Sequence, residues 1–127
     1  MEFSITVSDS EDGKYILLRG KGDIKHGNPQ ELIRPILEVY ELAERLKIYR
    51  LLADVTQVRN LHSPVDDYEF VNTSIANEER INRFMRIALL VAPEDHSHDF
   101  METVARNAKF MFTIFRDRET ALAFLLK

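Results

Sequence analysis

Cysteine is absent from this chain of 127 residues. That excludes disulfides, thiol catalysis, zinc–thiolate sites and iron–sulfur clusters. A small domain that rests on its core alone fits a reducing compartment. Glycine and proline number four each, too few for a linker, and no repeat or biased tract is present. Long apolar runs are missing as well: the longest span about five or six residues, against roughly 20 needed to cross a bilayer. Residues 1–8 alternate in polarity and carry a charge at Glu2, unlike a signal peptide, so the expected address is the cytoplasm. Nor is there an excess of basic charge. The formal net charge is −4, and an acidic domain repels a phosphate backbone. Its basic residues interleave with acids, as in Glu78, Glu79, Arg80, Arg83 and Arg86. That is the pattern of a solvated helix face, so no nucleic-acid partner is expected.

What remains is an ordinary globular composition, 45% hydrophobic and 30% charged, in a chain the length of one domain. Phe3, Ile5 and Val7 alternate with polar residues and read as a half-buried strand. Asp12 and Gly13 mark a turn, and Tyr15 to Leu18 read as the second strand of a hairpin. Gly20, Gly22 and Gly27 then read as a loop. A first long helix begins at Asn28, with Pro29 at its first position and Glu31 three residues after the cap. Its apolar stripe is Leu32, Ile36, Val39, Ala43 and Leu46. Leu51 to Ala53 with Val55 read as a short buried strand. Ser63 opens a second helix, with Pro64 and Asp66 completing a capping signature and Val65, Tyr68, Val71 and Ile75 as its core stripe. Ile87 to Val91 is apolar without alternation, as in a central strand covered on both faces. A third helix spans about Ser97 to Lys109, with Asp95 or Ser97 as its cap. Met111 to Phe115 form a strand, and Asp117 caps a last helix running through Leu126. Strands alternating with helices imply right-handed crossovers and a mostly parallel sheet. Leu51–Asp54, Ile87–Val91 and Met111–Phe115 are expected to be parallel and central.

This order, and several local motifs, resemble the SpoIIAA-like branch of the STAS and CRAL-TRIO-type domains. Asp54-Val55-Thr56, after a strand and before a helix led by Ser63, resembles the Asp-Leu-Ser segment of STAS anti-sigma-factor antagonists. There it leads to a phosphorylatable serine at the next helix start, a position on which Ser63 falls. Phe100, Glu102, Val104, Ala105 and Asn107 resemble the third helix of SpoIIAA-like domains, and Phe115, Glu119, Ala121 and Phe124 to Leu126 their closing strand and helix. The resemblance covers nearly the whole chain. It implies a single α/β domain over residues 1–127, with a mostly parallel five-stranded sheet, an antiparallel N-terminal hairpin strand and about four helices. One departure stands out: where the antagonists carry Asp-Ser-Ser-Gly, this chain has His62-Ser63-Pro64-Val65.

The candidate site residues follow. Asp54 and Thr56 are read as the end of a strand at the carboxyl edge of a parallel sheet, where ligands gather in open α/β folds. Asn60, His62 and the loop from Pro93 to His98 are expected nearby. Ser63 has a cap to make, and as a phosphoswitch it would gain from the helix dipole and be repelled by Asp66 and Asp67. His96 and His98, among Glu94, Asp95 and Asp99, have the residue types of a metal site without the spacing of one. Acids in the first turn of a helix, with Asp95 or Ser97 as its cap, account for the cluster better, and no metal is expected. Phe84, Phe110 and Phe112 are read as core. Phe70 lies off the second helix's stripe and is expected on its surface, as a contact for a partner or a second copy, the plainer alternative being that it packs under the long loop after Val55. Phe70, Ser74, Asn77 and Ile81 would form a second stripe for a symmetric dimer. No nucleophile elbow, phosphate loop or cofactor motif is present. The expected role is a non-enzymatic regulatory module that binds a protein partner through the Asp54–Ser63 loop and the second helix. The alternative is a binder of a small apolar or lipid-like ligand, and a hydrolase-type enzyme using Asp54, His62 and His96 ranks below both. An exposed apolar patch around Phe70 would favour the partner, and an apolar pocket with few polar groups the ligand.

Overall fold

The computed structural model describes residues 3–25, 30–75 and 77–127. Its element order is β1 (Ser4–Asp9), β2 (Ile16–Ile24), α1 (Gln30–Leu46), β3 (Arg50–Asn60), α2 (Pro64–Glu69), a π-helical stretch (Phe70–Ile75), β4 (Arg86–Leu90), α3 (Asp99–Asn107), β5 (Met111–Phe115) and α4 (Arg118–Leu125). The five strands form one sheet in the order β1-β2-β3-β4-β5. β1 is antiparallel to β2, and every other neighbouring pair is parallel. The Asp12-Gly13 turn closes the hairpin, with Gly13 at φ 71°, a conformation glycine takes without a Cβ penalty. β5 is an edge strand, not a central one as the apolar pattern suggested. Asn28 and Pro29, with Gly27, lie outside the described residues. No described helix is long and apolar enough to cross a membrane.

The sheet separates two cores. Ile87, Leu89 and Val91 join the core under α1, the π-stretch and α3, whereas Ala88 and Leu90 join Ala121 and Leu125 of α4 on the other face. β4 is thus covered on both sides, which is why its sequence is apolar without alternation.

Two corrections to the sequence reading shape the site. Gly20 and Gly22 lie inside β2 rather than in a loop. A Cβ on Gly20 would come within 2.8 Å of Val58 Cγ2, so glycine here permits a close approach between strands. β3 runs on through Asn60, so the segment expected to be a loop after Asp54 is strand. It also bulges: Arg19 pairs with Asp54 but Lys21 with Gln57, giving β3 one extra residue and reversing the parity of its faces. Before the bulge, Leu51, Ala53 and Val55 face the α1 core; after it, Val58 does.

Candidate functional site

Under α1, the π-stretch and α3 lies a cavity of about 180 Å³. Leu32, Ile36 and Val39 of α1, Phe70, Val71 and Ile75 of the π-stretch, and Met101 and Ala105 of α3 wall it, over a floor that includes Ala53, Val55 and Leu89. Small residues at Ala53 and Ala105 leave room that larger side chains would fill. Polar side chains enter the lining at few positions, among them Asn60 and His98. Apolar walls suit small apolar molecules, and an enclosed cavity of about 150 Å³ is enough for benzene.

Phe70 is only 4% exposed, which overturns its expected surface position. The helix turns a different face inward from the one read: Asp67, Phe70 and Val71 stand three and four residues apart on one helical face. From Phe70 the chain winds as a π-helix, with i→i+5 bonding and a wider turn. The inward set becomes Asp67, Phe70, Val71 and Ile75, while Val65 and Tyr68 turn outward, 63% and 58% exposed. The second stripe read from Phe70 thus loses its aromatic residue to the core; Asn77 is exposed, Ser74 and Ile81 are half-buried, and Asn77 and Ile81 lie beyond the helical stretch.

Beside the cavity the bulge brings Asn60 under α2. Its Nδ2 donates to both carboxylate oxygens of buried Asp67 (3.2 and 3.4 Å), and its Oδ1 accepts from the His62 backbone N–H (3.1 Å). The His62 ring is fully buried, with Nδ1 3.4 Å from Asp67 Oδ1. Neither ring nitrogen has a hydrogen bond of ordinary geometry among the described residues. Burial pushes the Asp67 carboxyl above its usual range, against the opposing pull of the Asn60 hydrogen bond and of His62. From the far side, the Asn60 backbone N–H donates to Ser97 Oγ (3.0 Å), and His98 Nε2 donates to the Val58 carbonyl (3.1 Å). These two bonds satisfy the stretch of β3 that extends beyond β4.

No family model matches the chain, and no curated relative matches it. Solved structures do. An anti-sigma factor antagonist from Mycobacterium paratuberculosis superposes with a TM-score of 0.67 at 13% identity, covering 99% of this chain and 96% of its own. A Shewanella loihica protein with a SpoIIAA-like fold superposes with a TM-score of 0.52 at 21% identity, covering 97% and 93%. The fold is that of the SpoIIAA/STAS-like domains.

In this SpoIIAA/STAS-like domain Ser63 is the N-cap of α2. Its Oγ accepts from the Asp66 N–H (3.1 Å) and Asp66 Oδ2 accepts from the Ser63 N–H (3.0 Å), a complete capping box. Ser63→Ala is therefore expected to cost about 1 kcal/mol and Ser63→Asp to be nearly neutral, since aspartate caps as well as serine. Urea midpoints of the two variants check this, and equal losses would remove the cap as the cause.

The other candidates are dispersed. Asp54 lies within β3, not at its end, on the opposite face from Asn60. Its Oδ1 accepts from Thr56 N–H (3.1 Å) and Thr56 Oγ1 (2.7 Å), and its Oδ2 stands 3.7 Å from Arg19 Nε. Six residues of strand put it roughly 20 Å from Asn60. The two loop histidines diverge. His98 is buried against β3, while exposed His96 sits 3.0 Å from Asp99 and 3.2 Å from Arg116 Nη2. Neither expected cap serves α3. Asp95 accepts from Ser97 N–H, Ser97 is taken by Asn60, and the N-cap position, His98, makes no side-chain cap. Sequence reading missed Asp67 as an inward polar group. Its signal was the spacing of four residues from Val71.

Proposed function

We propose that this SpoIIAA/STAS-like domain is a non-enzymatic cytoplasmic binding module whose ligand is a small apolar molecule held between the sheet and the helices α1 and α3. The cavity carries this reading: its walls are apolar, polar groups are confined to a few positions, and Phe70 turns inward to line it. Asp54, His62 and His96, the groups an enzyme would have used, sit at separate places: Asp54 and His96 have local hydrogen-bond partners, and the His62 ring is buried beside Asp67. Native mass spectrometry of the purified protein should show a retained small molecule. For protein stripped of it, indole or naphthalene at about ten times Kd should raise Tm by about 4 °C. Ala53→Leu, which fills the cavity floor, should abolish both effects. A wild-type protein that retains nothing and shifts with neither compound would sink the proposal.

A second reading, a regulatory contact with a protein partner, is favoured by the outer face of α2. Val65 and Tyr68 are exposed there, with Leu61 beside them in the chain, and the mycobacterial structure is named for action on an anti-sigma factor. One helical segment thus presents Phe70 and Val71 to the cavity and Val65 and Tyr68 to solvent, so an occupied cavity would bear directly on the element that meets the partner.

A further inference from the structure

We propose that the end of the sheet where the parallel strands begin is a docking surface for an anionic lipid bilayer, with Phe84 as the inserted side chain. Phe84 is 86% exposed, although its neighbour Met85 is fully buried. It stands just before β4, whose first residue Arg86 is in register with Arg50 of β3 and Met111 of β5. The chain segments that meet here are basic and lack acids: residues 45–50 carry Arg45, Lys47 and Arg50; residues 81–87 carry Arg83 and Arg86; residues 103–111 carry Arg106 and Lys109. Met111, Leu46 and Leu126 are exposed at the same end.

Charge is therefore segregated in a chain whose net charge is −4. Acids stand in the flanking segments, where Glu44 pairs with Lys47 (3.5 Å), Glu78 and Glu41 pair with Arg80 (2.8 and 3.3 Å), and Glu79 is exposed. The acidic hairpin turn with Asp9, Glu11 and Asp12 shares this end, but it lies at the β1–β2 corner, away from β4 and β5. Arg83 stacks its guanidinium 5.0 Å from the Phe110 ring, and Arg86 Nη1 donates to the Phe124 carbonyl (3.0 Å). Arg50 and Lys109 are exposed.

An aromatic ring among long cationic side chains matches the bilayer interface, where the ring enters the acyl boundary and the cations meet lipid phosphates. A second copy fits poorly, because symmetric pairing would set these cations against each other. A folded acidic partner would need a hollow cut for the ring. A bilayer yields to it, and register holds the starts of β3, β4 and β5 level.

The test is co-sedimentation of the whole chain with vesicles of equal parts phosphatidylglycerol and phosphatidylcholine, or of phosphatidylcholine alone. Binding is expected to the mixed vesicles only, and should weaken as salt rises. Phe84→Ala should weaken it about tenfold with Tm unchanged, and Arg50→Glu with Lys109→Glu should weaken it at least about tenfold. The chain has no tryptophan, so Phe84→Trp reports on the ring alone, and its emission should shift to the blue on mixed vesicles. Absence of binding overturns the proposal, as does binding indifferent to Phe84→Ala. So does an unshifted Phe84→Trp that binds soluble polyglutamate as tightly as vesicles, which would mark the surface as a site for an acidic protein. None of the substituted residues lines the cavity, so failure here leaves the ligand reading standing.

Discussion

Phe70→Ala is expected to destabilise the domain by about 3 kcal/mol, the usual cost of truncating a buried phenylalanine. The ring is almost wholly buried and packs in the core that includes Val71 and Ile75. Its removal forfeits burial and adds its volume to a cavity already about 180 Å³ in size. The surroundings have little means of closing that gap, because the opposing floor is sheet. A ligand too large for the wild-type cavity should then enter the variant and restore part of the lost stability, as binding to the native state alone requires. Urea unfolding with and without such a ligand measures both effects. A loss under about 0.5 kcal/mol, typical of surface positions, would return Phe70 to the outside of the helix and remove the cavity wall with it.

Asp67→Ala should cost about 3 kcal/mol, because it leaves buried groups without their partner. Asn60 Nδ2 would lose both of its carboxylate acceptors and the buried His62 ring its neighbouring charge. Asp67→Asn keeps an acceptor for Asn60 and should be far milder. The two substitutions also separate charge from hydrogen bonding through pH. Burial raises the folded-state pKa of Asp67 above its ordinary 3.8, so the folded state holds the proton more tightly than the unfolded chain. That contribution to stability is complete below pH 3.8 and is lost as pH climbs through the raised folded value. Asp67→Asn cannot lose a proton there, so it should gain on the wild type as pH rises out of the acid range. Parallel urea titrations across that window check the sign. A variant that instead loses ground to the wild type as pH rises would mean that Asp67 is stabilised as the anion, with His62 as a firm ion-pair partner.

The outline of the domain was legible in the residues. Alternation in Phe3, Ile5 and Val7, the unbroken run from Ile87 to Val91 and the caps at Ser63 and Asp117 each rest on interactions within a few positions. Short-range pattern records such interactions faithfully, and together they specify five strands, four helices and their order. The site was much less legible. Gly20 and Gly22 look like a loop because glycine usually marks one, yet here the missing Cβ admits Val58 from the neighbouring strand. Asn60 and Asp54 share parity along the chain, and only the bulge in β3 places them on opposite faces. Phe70 falls off the stripe read from Val65 and Tyr68, and only packing showed that the helix buries the face of Asp67, Phe70 and Val71 instead. Phe84 reads as core by residue type and is exposed because the chain around it only leads into β4. The sequence alone determined the elements and their succession, because those follow from local periodicity and capping. Tertiary structure decided which side chains meet, because one extra residue in a strand, or the burial of a different helix face, changes what points inward without changing the residue types around it.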